Sequence, residues 1–292
     1  MADPELRDGE DKLLGQVKIF YRDAGVLNGE NALELPDHCA DAATCWEGLG
    51  ERRYGSCTIA LPWIGPKYEE ARVLVVAENL NSGSDLWALA GGKGKGYVLD
   101  AMCELEVRPR VRFGNAPKDY AGTLLWHCIG TYAAVILREL GVPPFAEMQL
   151  TNGEVPVKAI TIDAYRYLAY LNHVKCSPND GARSQPSLAM WNRCGKRFLA
   201  GEINILEPAV ILALGSGNNG PRLAAILRSR WTHVTSRRGN YVTLHRFFRE
   251  GEHLDLVVVP HPSYFRVSWK TVVSGLVDCL HHDPDDRAYP ER

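Results

Sequence analysis

The sequence predicts an α/β protein, specifically a three-layer α/β/α sandwich around a central, mainly parallel sheet. Four short apolar runs rich in β-branched residues each end at a polar residue or a glycine, as buried parallel strands do. Stretches with apolar residues at helical spacing lie between these runs. Alternating strands and helices typically build a parallel sheet that helices cover on both faces.

The predicted elements can be placed in chain order. The strands are 72–79, 167–175, 209–215 and 254–262. The helices are 121–140, 187–207 and 221–231. Pro221 stands in the first turn of the last helix, where proline is favoured. We treat 1–292 as one domain, with an N-terminal segment at 1–60 and an insertion at about 107–157 that interrupts the alternation.

Composition predicts a soluble, globular chain. Hydrophobic residues make up 46% and charged residues 23%, which excludes a mainly disordered protein. No run approaches the ~20 apolar residues of a membrane span, and the acidic start of the chain does not resemble a signal peptide. We therefore expect a cytoplasmic monomer with no membrane partner.

Charge is unevenly distributed along a chain whose net charge is only −2. From Arg222 to Arg249 there are seven arginines, among them Arg237 and Arg238, and no acidic residue. The segment 183–201 is also basic and free of acid, and it begins with Arg183. This pattern favours an anionic partner, and a solvated surface is the alternative interpretation.

Four polar or glycine positions follow the four predicted strands. They are Asn79, Asn172, Gly215 and His261. The carboxyl ends of parallel strands meet at one edge, where ligands gather in open α/β sheets. We therefore expect a cleft rich in hydrogen-bonding groups, although polar strand ends also occur for solubility alone.

Three motifs, in the expected order, make the chain similar to a known family. The stretch 171–217 contains LNHVKC, a polar loop, a second cysteine before Phe198-Leu199, and a hydrophobic strand that closes in LG. VVAENLNSG (75–83) and VVVPHPSYFR (257–266) occupy the positions of two catalytic motifs. The sequence resembles the iron–sulfur uracil-DNA glycosylases, family four of the uracil-DNA glycosylase superfamily.

The resemblance implies catalytic and base-binding roles. His261 would donate to the base carbonyl on which negative charge develops, and Asn79, with Glu78, would hold the attacking water. Glu78 as a structural cap or ion-pair partner is an equal alternative. Asn172 would bind the edge of a flipped pyrimidine, because an amide both donates and accepts. Tyr97 would supply a stacking face.

The same resemblance implies contacts with DNA. Ser263 would hold a phosphate next to the flipped nucleotide, and Phe265 or Arg266 would fill the gap left in the base stack. The basic residues Arg183, Arg237 and Arg238 would meet phosphates.

Two departures from the family concern the base pocket. The first motif reads Ala77-Glu78-Asn79, and the glycine-rich segment 90–100 replaces the usual stacking Pro-Phe pair. Uracil is the default substrate of the family. A larger base, such as a modified cytosine of phage DNA, is the other candidate, so both repair and phage defence remain open.

Eight cysteines in a chain expected to be cytoplasmic point to metal binding or core packing before disulfides. The resemblance implies a four-iron, four-sulfur cluster, which needs four thiolates. Cys176 and Cys194 match two ligand positions, and we favour Cys45 and Cys57 for the others, with Cys39 as an alternative. The remaining three, Cys103, Cys128 and Cys279, have apolar contexts that predict core residues.

Two further hypotheses belong to different classes. The chain could be a nucleic-acid-binding protein that keeps the fold and cluster but has little catalytic activity. Its cysteines could instead bind zinc. Release of a free base distinguishes the enzyme from the binder, and colour distinguishes iron from zinc.

Overall fold

A computed structural model describes residues 4–24, 44–45, 62–79, 121–150, 163–175, 186–262 and 267–281. In these ranges the chain forms a seven-stranded sheet with helices on both faces. The strands are β1 (Trp63–Ile64), β2 (Val73–Asn79), β3 (Leu168–Val174), β4 (Val210–Leu214), β5 (Thr232–Gly239), β6 (Val242–Arg249) and β7 (Glu252–Val259).

Along the chain, helices occur before, between and after these strands. They are α1 (Pro4–Asp23), α2 (Tyr68–Ala71), α3 (Ala121–Glu139), α4 (Leu188–Cys194), α5 (Ala200–Leu206), α6 (Asn219–Arg228) and α7 (Trp269–Leu280). A π-helical turn (Gly195–Leu199) joins α4 to α5 without a break. Short 3-10 turns occur at Phe145–Glu147 and Ala164–Tyr167.

The sheet is parallel at its centre and antiparallel at its edges. The strand order is β1-β3-β2-β4-β7-β6-β5, and the pairs from β3 to β7 are all parallel. β1 pairs antiparallel with β3, and the β5–β6 hairpin continues the sheet beyond β7. The predicted α/β architecture is therefore confirmed, with each of the four predicted strands present within a few residues.

Each face of the sheet has its own apolar core, because successive side chains of a strand point to opposite faces. Val75 and Tyr170 belong to the core on the side of α3 and α7. Leu74 and Leu171 belong to the core on the side of α5 and α6. A third, smaller core joins α1 to α4 and the end of β3. This alternation decides which side chains at the strand ends share a face.

Helix α3 lies inside the region 107–157 that the sequence marks as an insertion. Residues 128–137 of this helix, including Ile129, Ala133 and Leu137, are buried in the core. At least this part of the region therefore supports the sheet. No helix among the described residues is both long and apolar enough to cross a membrane.

Candidate functional site

The four strand ends that the sequence places at one edge lie there in the structure. The neighbouring parallel strands β3, β2, β4 and β7 all run in one direction, so their carboxyl ends line up. The backbone of Asn79 pairs with that of Val174, and Asn172 pairs with Ala77. Three strand spacings separate β3 from β7, or about 14 Å, which is wide enough for a nucleotide and a flanking phosphate.

Asn172 presents a buried hydrogen-bond donor at this edge. Its side chain is 2% exposed, and its amide nitrogen Nδ2 has no hydrogen-bond partner among the residues that the structure describes. Leaving a buried donor unpaired costs about 1–3 kcal/mol, so this atom needs a partner such as water or a ligand. An amide can bind a pyrimidine edge through both of its polar atoms.

A buried ion pair supports the main chain next to Asn172. Lys175, 1% exposed, forms a salt bridge with Glu202 of α5, and Tyr21 of α1 donates a hydrogen bond to the same carboxylate. The Lys175 ammonium also donates to the main-chain oxygen of Asn172 at 2.5 Å. Removing one partner of a buried ion pair costs about 3–5 kcal/mol, because the other charge is left uncompensated. This pair therefore fixes the end of β3 against α1 and α5.

Glu78 is half-buried next to the glycine that follows β4. Burial raises the pKa of the Glu78 carboxyl above its usual value. A Cβ atom at Gly215 would lie 2.4 Å from Glu78 Oε1, and Gly215 has a positive φ of 113°. Glu78 forms no salt bridge with any residue that the structure describes, so the ion-pair interpretation gains no support. Glycine at 215 is what lets the carboxyl group sit against the end of β4.

Asn219, which was not among the predicted site residues, holds the edge together. Asn219 is fully buried at the start of α6 and donates to the main-chain oxygens of Val76 and Leu214, at 2.8 and 3.0 Å. Both amide hydrogens are thus used, and Asn219 Oδ1 accepts from His173 Nδ1 at 3.0 Å. One side chain therefore ties together β2, β3 and β4. The run GSGNN after the third predicted strand contained the signal, because a polar residue there must lie near the strand ends.

His173 points to the opposite face of β3 from Asn172. It is fully buried and lies edge-on to the Trp191 ring, with centroids 4.7 Å apart. Burial lowers the pKa of His173 to about 4, so the ring is neutral at physiological pH. Hydrogen bonds to Asn219 and to the main chain of Trp191 oppose this lowering but do not outweigh it.

Two arginines of the predicted DNA contacts lie at the same edge. β5 runs parallel to β7 because both pair antiparallel with β6. Arg238 pairs with Thr243 of β6, and Thr243 pairs in turn with Val258 of β7. Arg238 therefore lies near the carboxyl end of β7. Arg238 is exposed, and the half-buried Arg237 contacts the main-chain oxygen of His281 at 3.3 Å.

The remaining predicted site residues are described in part or not at all. His261 is half-buried, two residues after β7. For Asn79 the structure describes the main chain alone. Five predictions lie outside the described residues: Tyr97, Arg183, Ser263, Phe265 and Arg266.

Two of the predicted cluster ligands share one packed core. Cys45 and Cys194 are both buried there, with Val174 from the end of β3. Ser187 Oγ, at the start of α4, donates to the main-chain oxygen of Cys45 at 3.0 Å. Cys57, Cys176 and the alternative Cys39 lie outside the described residues. Among the described residues, no group of three or more His, Cys, Asp or Glu side chains forms a metal site.

Two other cysteines have the role predicted from their apolar context. Cys128 and Cys279 are buried in the core between the sheet and α3 and α7. Burial raises the pKa of Cys128 to about 11 and raises that of Cys279, so both remain protonated thiols. Cys103 lies outside the described residues.

The fold and this edge define an α/β protein whose polar site lies at the carboxyl ends of a parallel sheet. The family model of the uracil DNA glycosylase superfamily matches residues 68–278. The chain belongs to this superfamily, whose members are DNA glycosylases and act on DNA. No curated protein matches the chain significantly.

Proposed function

We propose that the protein is a monofunctional DNA glycosylase of the iron–sulfur, family-four-like type. It flips a non-standard pyrimidine out of DNA and hydrolyses its N-glycosidic bond, leaving an abasic site. The observation that carries this proposal is the buried, unpartnered amide of Asn172 at the carboxyl edge of the sheet, in a chain of this superfamily. A flipped pyrimidine would satisfy that amide.

The reaction needs an environment that favours a departing anionic base. Bond cleavage gives the sugar oxocarbenium character while negative charge moves onto the base. His261 donates a hydrogen bond to the base carbonyl that receives this charge, which is the kind of fixed dipole that stabilises a transition state. Asn172 holds the base edge. The Lys175 ammonium, which is paired with Glu202, holds the main chain of Asn172 in place.

The attacking water is held by Asn79 together with Glu78. A raised pKa makes the Glu78 carboxylate a stronger base than an exposed one, so it can accept the proton that the water loses. Ser263 holds a neighbouring phosphate, Phe265 or Arg266 fills the space in the stack, and Arg183, Arg237 and Arg238 contact phosphates farther along the strand.

Uracil is the default substrate within this proposal, and a 5-substituted pyrimidine is the second candidate. The second candidate is favoured by the glycines of segment 90–100, which offer no side-chain bulk where relatives have a stacking pair, with Tyr97 stacking from another direction. A defence enzyme acting on modified cytosine in phage DNA would need such a pocket.

The cluster proposal has one supporting observation in the structure. Cys45 belongs to the N-terminal segment and Cys194 to α4, yet they are buried in one small core. Cys176 directly follows Lys175, and Val174 packs in that same core. A four-iron, four-sulfur cluster held by Cys45, Cys57, Cys176 and Cys194 would covalently join these segments. Its role here is structural, with no step of base release assigned to it.

Mass spectrometry of small molecules released from a panel of DNAs tests the proposed activity. The panel contains uracil, cytosine and 5-substituted cytosines in single- and double-stranded DNA. We expect one free base to appear, together with an abasic site that alkali cleaves. Stable DNA binding with no released base from any substrate would favour the nucleic-acid-binding alternative.

The variant Asn172→Asp tests the base contact. A carboxylate accepts but does not donate, so it opposes the O4 atom of uracil and suits the amino group of a cytosine. We expect release of uracil to fall by at least tenfold relative to release of a cytosine-type base. Asn204→Asp makes the same chemical change at an exposed position of α5 and should leave the ratio unchanged. An unchanged ratio in Asn172→Asp would contradict the role of Asn172.

A further inference from the structure

A groove on the face of the sheet opposite Asn172 has no role in the proposed reaction. It has a volume of about 500 Å³ and lies between the π-helical turn and α6. His173 and Trp191 line it, together with three cationic residues, Lys196, Arg222 and Arg230. None of the described residues that line it is acidic. The groove therefore has the charge of a binding site for an anion.

No carboxylate of the described residues forms a salt bridge with a cation of the groove. Arg222 lies over the Trp191 ring, with its guanidinium carbon 5.3 Å from the ring centroid, and its buried Nε has no hydrogen-bond partner in the described part of the chain. Lys196 is exposed, and Arg230 contacts the main-chain oxygen of Ala200 at 3.4 Å. A guanidinium held by an aromatic ring keeps its charge available to a ligand.

His173 closes one end of the groove. Its ring is buried, and its Nδ1 atom is held by Asn219. The π-helical turn packs closely against this ring, since a Cβ atom at Gly195 would lie only 2.8 Å from Nε2. π-Helical turns are frequent at functional sites.

The position of the groove identifies its occupant. His173 and Asn172 are consecutive residues of β3, so the groove begins at the carboxyl edge, on the other side of the strand from the base site. Helix α6 also starts at this edge, and the groove follows it from Arg222 to Ser229, the residue after its end, over about 10 Å. A DNA strand bound at the edge could continue along this path.

We infer that the groove between the π-helical turn and α6 binds the phosphodiester backbone of the DNA strand that flanks the flipped nucleotide. The ligand is the phosphate group, and Lys196, Arg222 and Arg230 are its partners. This inference rests on the proposed function, because it takes DNA as the ligand. It adds a second contact surface beyond the strand-end loops.

The salt dependence of binding to an oligonucleotide tests this inference. Each lost phosphate contact lowers the log–log salt slope by about 0.9 on duplex DNA and about 0.7 on a single strand. We expect Lys196→Ala/Arg230→Ala to lower the slope by about 1.8 on duplex DNA. The control Lys12→Ala/Arg22→Ala removes the same charge from exposed positions of α1 and should leave the slope unchanged. Equal slopes in the two double variants would overturn the inference.

A second measurement locates the contact on the DNA. Single phosphates on either side of the target are replaced in turn by neutral methylphosphonates. At one or two of these positions we expect the replacement to weaken binding of the wild type but not of Lys196→Ala/Arg230→Ala. If dUMP or inorganic phosphate binds the wild type as tightly as the oligonucleotide does, and if this binding is lost in Lys196→Ala/Arg230→Ala, the groove is a site for free phosphate compounds instead of DNA.

The outcomes also separate this inference from the proposed function. If the wild type binds DNA through the groove and releases no base, the groove stands and the glycosylase proposal fails. If it releases a base while the groove variant keeps the wild-type slope and methylphosphonate profile, the groove inference alone fails. If it binds no DNA, both are wrong. Thermal unfolding of both double variants verifies that they fold.

Discussion

Single side chains at the carboxyl edge combine burial with unused hydrogen-bonding capacity. Asn172 has an unpaired donor, and Glu78 has a carboxyl group whose pKa burial raises. Neither arrangement contributes to stability, since unpaired donors and buried charges both cost free energy. By strand alternation Glu78 lies on the same face as His173 and Asn172 lies on the other face, so the two groups approach the edge from opposite sides of the sheet.

The pH dependence of base release tests the role of Glu78. If the Glu78 carboxylate activates the water, kcat/KM falls as the pH drops through the raised pKa of Glu78. The acidic limb of the pH profile of kcat/KM should therefore lie at a higher pH than an ordinary carboxyl group would give. Glu78→Gln should lower the rate and remove this limb. A rate and profile like those of the wild type would assign the water to Asn79 alone.

The stability of the same variant provides its control. A carboxyl whose pKa is raised by folding adds stability below its unfolded pKa, and this contribution is lost as the pH rises through the folded value. At neutral pH the buried charge therefore costs stability. Glu78→Gln should be at least as stable as the wild type at pH 7, so a loss of activity cannot be attributed to unfolding.

Close contacts between elements depend on a few glycines. Gly275 of α7 lies against the turn between β5 and β6, where a Cβ atom would be 2.2 Å from the main-chain oxygen of Asn240. Gly239 faces α7 in the same way, with a Cβ position 2.7 Å from the Gly275 oxygen. These contacts bring the hairpin that carries Arg237 and Arg238 close to α7.

Gly275→Ala tests this packing. Alanine favours a helix over glycine by roughly 0.5–1 kcal/mol, but the clash is with main chain and cannot be relieved by a rotamer change. Overpacking typically costs about 1–3 kcal/mol, so we expect a net decrease in the free energy of unfolding, measured with urea. Gly15→Ala in α1, where nothing lies within 4 Å of the Cβ position, should be neutral or stabilising. Equal effects in the two variants would contradict the tight contact.

The molecule as a whole combines a net charge near zero with a strongly basic edge. In the sequence, the arginines of the β5–β6 hairpin lie in a stretch without acidic residues, so the net charge of −2 conceals a basic segment. The small core that contains Cys45 and Cys194 connects the N-terminal segment to the end of β3. Binding and folding therefore depend on segments that are distant in the sequence.

Neutralising Arg237 and Arg238 together should weaken DNA binding in a salt-dependent way. Each phosphate contact contributes about 0.9 to the slope on duplex DNA, so the double alanine variant should lose up to about 1.8. Arg237 also contacts His281, so a thermal unfolding curve of the double variant is a necessary control. A slope equal to that of the wild type would identify this part of the basic region as a solvated surface.

Metal analysis of protein purified without oxygen tests the cluster. We expect iron and sulfide in a ratio near four to four, with a brown colour. Cys194→Ala should bleach and destabilise the protein, whereas Cys128→Ala, in a core away from the proposed ligands, should keep the iron. A colourless wild type with stoichiometric zinc would contradict the cluster proposal.

The amino-acid sequence by itself determined the central sheet and the candidate site at its edge. Buried parallel strands are short, nearly continuous apolar runs, so β2, β3, β4 and β7 could be recognised locally, and the residues after them had to meet at one edge. The hairpin of β5 and β6 was missed because five consecutive residues of β5 are exposed at the edge of the sheet and show no apolar alternation. Only the tertiary structure brought Lys175 to Glu202, Asn219 to His173 and the cations of the groove together. These pairings depend on which helix packs on which face of the sheet, and that choice is made by the whole core and not by any local pattern.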